Sequence, residues 1–262
     1  MAILVARTDW GAVKHRGITY FVLDMRQPGV EVRPIAQMNH RSSFNEVFLT
    51  DAEIPAENVV GEVGGGWAVA RATLAHERRY AGERAAALPV EAAGRVIDEF
   101  RDEYAEYNKT YEWYPQRMGR PDLVVEAAAS AGRLGDPRLR DDMMELHAVE
   151  QAAKRTAERA KANRALGRPP GAEGSIGKLA TSEVARRCNA LHSGIAGAAG
   201  MLAAGGDETH AVVAEILVST PAQSIAGGTD EIQRNILAEN ILGLPKEPAV
   251  DRDVPFRDVG RG

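Results

Sequence analysis

The chain has 262 residues, 44% of them hydrophobic and 26% charged, the composition of an ordinary globular protein with room for one large domain or two small ones. Its net charge of -5 argues against a nucleic-acid or anionic-membrane partner. The single Cys188 excludes an internal disulfide and a multi-cysteine metal site, and no apolar stretch is long enough to span a bilayer. From Met1 onward no run combines the charged start and apolar length of a signal peptide, so a cytoplasmic protein is expected.

The first sixty residues read as β-structure. Residues 18–24 are rich in strand formers and end at the Gln27-Pro28-Gly29 turn. Residues 30–35 alternate with period two, and 44–49 form a third candidate strand. Gly64-Gly65-Gly66 then marks a joint. Beyond Trp67 the pattern becomes helical, over roughly 67–112, 122–133, 138–166, 172–204, 207–218 and 229–242, with breaks at 167–171 and at Gly205-Gly206-Asp207. The boundaries expected are 1–62 for the β-part, 63–246 for the helices and 247–262 for a loose tail. Phe100, Tyr104, Tyr107 and Tyr111 recur at helical spacing, which fits a packed helix extension, an interface stripe or an acyl-pocket wall.

Several kinds of chemistry find no support. The sequence has no His-Glu-x-x-His, no Cys-x-x-Cys, no Gly-x-Ser-x-Gly elbow and no Walker loop. The six histidines lack ligand spacing.

The segment from Gly227 to Pro245 carries the most information. Gly227 and Gly228 give a turn free to take positive φ, and Thr229 is a good N-cap. Asp230 and Glu231 sit in the first helical turn, where carboxylates suit the helix dipole. Ile232, Ile236, Leu237 and Ile241 form an apolar stripe, and Gly243 and Pro245 stop the helix. This string, Gly-Gly-Thr-Asp-Glu-Ile-Gln-Arg-Asn, resembles the flavin-facing helix start of the acyl-CoA dehydrogenases. Residues 15–25 and 28–35 are similar to the second half of that family's middle β-domain, and 44–48 and 54–61 to the exit from it. Residues 65–78 are similar to the first helix of its C-terminal bundle, and 178–183 and 194–200 to later bundle elements. Residues 85–121 fit poorly and look like an insertion. Met1–Thr8 resembles the middle of the β-domain, so the family's N-terminal helical domain and first β-half are expected to be absent.

The resemblance implies a mostly α, α+β fold: a partial β-domain followed by an antiparallel C-terminal helical bundle. It implies FAD and α,β-dehydrogenation of an acyl-CoA thioester, with a carboxylate as base for the α-proton. In this family the base comes either from the residue before the Gly-Thr of the terminal turn, here Gly227, or from the first bundle helix just before an arginine, here Glu77. Glu77 is therefore the expected base, with the Gly227 N–H as oxyanion donor. Arg78 is assigned to the CoA portion, Thr229, Glu231 and the Gly228 backbone to the flavin, and Gly197 to the flavin of a neighbouring subunit. Arg117-Met118-Gly119-Arg120-Pro121 is a faint echo of another flavin-contacting segment. Read as residues alone, Glu77 and Arg78 are equally helix-surface charges and Gly197 a packing glycine. Implied partners are an electron-transfer flavoprotein and further subunits, as a homodimer, a tetramer or a heteromer with a related chain. A non-catalytic helical subunit and an acyl-CoA oxidase-like enzyme remain the alternatives.

Overall fold

The computed structural model describes residues 1–83, 93–109, 113–169, 171–201, 208–249 and 251–260. The chain divides into two compact units, one of residues 1–35, 44–102 and 247–262, the other of 36–43 and 103–246.

In the first unit β1 (Ala2–Arg7) pairs antiparallel with β2 (Ile18–Leu23), Ala2 opposite Leu23. A second antiparallel pair joins β3 (Val30–Ile35) and β4 (Phe44–Leu49), Val30 opposite Leu49. Helix α1 (Gly66–Glu83) starts hard against β2. A Cβ on Gly66 would lie 2.4 Å from the backbone of Thr19 and Tyr20, so glycine is required by close approach. Trp67 stacks on His15 at 4.1 Å, and the Tyr20 and Thr73 hydroxyls meet at 3.3 Å. These contacts place α1 with the strands, where the sequence pattern grouped it with the later helices. The helical pattern from 67 to 112 is also not continuous: Gly94, at φ 125°, precedes a separate α2 (Arg95–Lys109). Phe100 and Tyr104 of its aromatic stripe are exposed, whereas the Tyr107 side chain and Tyr111 lie outside the described residues.

The C-terminal tail has a defined place in this unit. The Phe256 and Arg257 amides donate to the carbonyls of Ala12 (3.2 Å) and Trp10 (3.0 Å). The Arg7 guanidinium lies 3.6 Å from the Phe256 ring centroid, and Lys14 pairs with Asp251 at 3.2 Å. These partners are far apart in sequence and follow no local period, which is why the tail reads as loose from sequence.

The second unit is helical: α3 (Tyr114–Arg117), α4 (Val124–Ser130), α5 (Pro137–Ala165), α6 (Glu173–Ala196), α7 (Glu208–Ser219), α8 (Pro221–Ile225) and α9 (Asp230–Ile236), which runs on into a π-helical turn, Leu237–Ile241. Asp136 caps α5 by accepting from the Arg138 and Leu139 amides. A short connection returns the chain antiparallel into α6, which packs against α4, α5, α7, α8 and α9. Val124, Ala128, Leu139, Leu146, Cys188 and Leu191 form its core. Trp113, also buried, donates from Nε1 to the Ser43 hydroxyl at 3.2 Å. Asn39 and Arg41 reach Ser219 (3.4 Å) and Glu215 (3.1 Å) of α7. Helix α6 ends sooner than its pattern, at Gly197, while the expected break at 205–207 lies outside the described residues. Among the described residues no helix is long and apolar enough to cross a membrane, and no cluster of three or more His, Cys, Asp or Glu could hold a metal.

Gly66→Ala should lower the stability of the first unit by about 1–3 kcal/mol, since the added methyl meets backbone that cannot swing aside. The check is the urea midpoint of the variant; an unshifted midpoint would show that β2 and α1 separate without cost.

Candidate functional site

The terminal turn is fastened by charge. Asp230, the first residue of α9, is only 3% exposed. Lys178 donates to its Oδ1 at 2.6 Å and Arg186 to its Oδ2 at 2.7 Å. Burial alone would raise the Asp230 carboxyl, but donation from Lys178 and Arg186 outweighs it and holds the carboxyl well below the usual carboxylate range. The same two cations reach the other end of the turn, Lys178 to the Ser224 carbonyl and Arg186 to the Ser224 hydroxyl, both at 3.1 Å. Ser182 adds a bond to the Gln223 carbonyl at 3.2 Å.

Between these anchors Gly227 and Gly228 take φ of 68° and 89°, the left-handed region that glycine adopts without strain. A Cβ on Gly227 would meet nothing within 4 Å, so its backbone is open to an incoming group. At Gly228 a Cβ would strike Gln233 Nε2 at 2.8 Å, because Gln233 folds back to donate to the Gly227 carbonyl at 3.0 Å. Thr229 caps α9 as expected, its Oγ1 accepting from the Ile232 amide at 3.3 Å. Glu231 is exposed, and its own backbone amide, then the Thr229 hydroxyl, hold its carboxyl below the ordinary value. The isoleucine stripe does not form the buried face of α9: Ile232 is 50% exposed and Ile236 and Ile241 are exposed too. The charged anchor at Asp230 seats the helix instead.

Gly227, Gly228, Thr229 and Glu231 thus share one turn, whereas Gly197 stands apart. It ends α6 at φ 57°, ψ -141°, a conformation open only to glycine, with its amide bonded to the Ser193 carbonyl. Nineteen residues of α6 separate it from Lys178, about 28 Å along a helix axis. Arg133 holds that end of the helix by donating to the Gly194 carbonyl at 2.6 Å.

The faint echo at 117–121 is built into the second unit. The Arg117 guanidinium lies 4.1 Å from the Tyr114 ring, and Gly119 packs against Cys188 and Ala185. Arg120 pairs with Asp122 and offers its carbonyl to His192 Nε2 at 3.0 Å. Burial lowers the His192 pKa and pushes the Cys188 thiol up to about 12, so both groups are neutral packing elements at neutral pH.

Glu77 belongs to the first unit, on the exposed face of α1. The Arg78 side chain lies outside the described residues.

Sequence reasoning assigned no role to Lys178, Ser182, Arg186 or Gln233 at the turn. The first three recur every four residues along α6, a polar stripe on a helix otherwise rich in small residues. Such a stripe on a central helix has to be met by a buried partner.

Asp230→Ala should cost about 3–5 kcal/mol by leaving the mostly buried Lys178 ammonium without its carboxylate, while Arg186 keeps Glu183 at 2.7 Å. Because the folded carboxyl sits below its ordinary value, its stabilising contribution is complete above the ordinary range and lost as pH falls from there through the folded value. Denaturant midpoints at neutral and acid pH should therefore show a steeper acid loss in the wild type than in Asp230→Asn; equal slopes would contradict the ionised assignment.

Comparison with known proteins agrees with these features. Residues 122–242 match the family model for the acyl-CoA dehydrogenase C-terminal domain. The chain is 34% identical to the acyl-CoA dehydrogenase FadE34 of Mycobacterium tuberculosis, over 93% of this chain and 29% of that protein. It is 33% identical to the acyl-CoA dehydrogenase IpdE1 of Mycolicibacterium smegmatis, over 93% of this chain and 53% of that protein. Its fold matches a chain of the ChsE4-ChsE5 complex of M. tuberculosis with a TM-score of 0.66 at 23% identity, covering 93% of this chain and 57% of that one. The chain thus spans about half the length of IpdE1 and less than a third of FadE34. The family model and the relatives agree that the chain belongs to the acyl-CoA dehydrogenase family.

Proposed function

We propose that this chain is the part of a cytoplasmic, FAD-dependent acyl-CoA dehydrogenase that carries the base and the thioester-facing turn. The observation that carries the reading is the residue at 227. A glycine there offers a backbone donor and no carboxylate, so the α-proton falls to Glu77, the carboxylate that precedes an arginine on α1. Glu77 takes the α-proton, the freed pair becomes the new Cα=Cβ bond, and the β-hydrogen leaves with its own pair. A bound flavin supplies the acceptor for that hydride. The Gly227 N–H stabilises the negative charge that develops on the thioester oxygen. The residues suit a flavin: the turn presents backbone free of any Cβ, the Thr229 hydroxyl and the exposed Glu231 carboxylate. Arg78 is assigned to the CoA phosphates, and an electron-transfer flavoprotein takes the electrons onward.

Gly197 stands apart from the braced turn, at the opposite end of α6 from Lys178. Gly197 is assigned to the flavin of a second subunit, in a homodimer, a tetramer or a heteromer.

A second reading, a structural subunit of a heteromeric dehydrogenase, draws support from apolar side chains left exposed on β3, β4 and α9. An oxidase-like enzyme has no separate observation in its favour.

The visible absorbance of the purified protein separates the readings. A flavin band near one per chain, bleached by an acyl-CoA, is expected. Glu77→Gln should keep the band and the fold while turnover falls by roughly 10²–10⁴-fold. Unchanged turnover would remove Glu77 from the role, and a colourless protein would favour the structural subunit.

A further inference from the structure

We propose that Lys178 and Arg186 are positioning residues that lock the Gly227-Gly228 turn in one conformation, preorganising the Gly227 backbone donor for the thioester carbonyl. This rests on the dehydrogenase reading above.

The argument begins with what the turn lacks. Two adjacent glycines have more backbone freedom than any other pair, and a donor that swings among conformations stabilises a developing oxyanion poorly. Something outside the turn has to remove that freedom. The geometry supplies two parallel braces. Lys178 Nζ bonds both the Ser224 carbonyl and Asp230 Oδ1, and Arg186 bonds both the Ser224 hydroxyl and Asp230 Oδ2. Each cation therefore spans the turn from its first anchor to its last. Both rise from α6, the helix at the centre of the second unit, which gives the braces a rigid base. Ser182, between them on the same helix, holds the Gln223 carbonyl one residue before the first anchor. Gln233 closes the loop from the other side through the Gly227 carbonyl, so the Gly227–Gly228 peptide, next to the one that carries the Gly227 N–H, is held as well.

A stability role alone accounts poorly for this arrangement. Buried ion pairs are weak stabilisers compared with apolar packing, and a single pair would neutralise Asp230. The second cation and the doubled contacts to Ser224 add little to neutralisation. They add geometric definition, and they add it across the two glycines.

The test is residue-resolved backbone 15N relaxation on the whole chain, comparing wild type with Lys178→Met, Arg186→Met and the charge-conserving Lys178→Arg. The two glycines are exposed, so their order parameters report the lock. Either methionine variant should lower the order parameters at Gly227 and Gly228 from about 0.85 to below about 0.6, with those of α5 and α6 unchanged. Lys178→Arg should restore most of the order. In flavin-loaded protein, Lys178→Met should lower kcat with little change in KM, and Lys178→Arg should recover it. Unchanged order parameters at the two glycines, or values lowered equally throughout the second unit, would overturn the positioning role. If Lys178→Met fails to fold, Arg186→Met, whose side chain is partly exposed, carries the test. A wild-type chain that binds flavin but turns over no thioester would sink the dehydrogenase reading, and the order parameters alone would then decide the brace.

Discussion

A carboxylate removed from water has to be met by cations and donors, and the second unit is arranged around that demand at Asp230. Meeting it fixes the face that α6 turns toward α9. Lys178, Ser182 and Arg186 fall at i, i+4 and i+8, so they lie in one row. Ala185, Cys188 and Leu191 fall on another row and are buried. One helix thus carries an ionic seam and an apolar seam side by side. The small residues between the seams let five other helices approach it. Changing the register of α6 by a single residue would bring alanine against Asp230 and arginine into the core.

The same arrangement explains what could be read from the sequence. Helices α5 and α6 were visible because a long apolar period survives in them, and β2, β3 and β4 because their alternation is local. The glycine turn and the Thr229 cap were visible because each has a chemical signature a few residues long. The brace was not. Lys178 and Asp230 are 52 residues apart, and nothing in either neighbourhood names the other. The isoleucines of α9 misled in the opposite direction: their spacing is regular, yet the anchored residue is the aspartate on another face. Periodicity reports that a face exists and is silent on which face is buried when an ion pair competes for that place. Helices α3 and α8 are too short to show a period, and both begin at a proline step. The role proposed for Glu77 rests on resemblance alone, since an exposed helix glutamate has no physical signature of its own.

The glycine at 227 also bears on how the work of the site is divided. That residue holds φ at 68°. A carboxylate-bearing residue there would have to accept left-handed backbone, at a cost on the order of 1–2 kcal/mol. Glycine accepts it freely and leaves the turn only its backbone to offer. A base carried on α1 avoids that strain, because a helical glutamate sits in its ordinary conformation. Under the proposed function, the proton-abstracting group and the oxyanion donor therefore belong to different units of the chain, each fixed by its own packing: α1 by Gly66 against β2, the turn by the braces from α6. On that reading, a substitution in either anchor would disturb one half of the chemistry and leave the other correctly built, and defects in proton abstraction and in carbonyl polarisation would be physically separable.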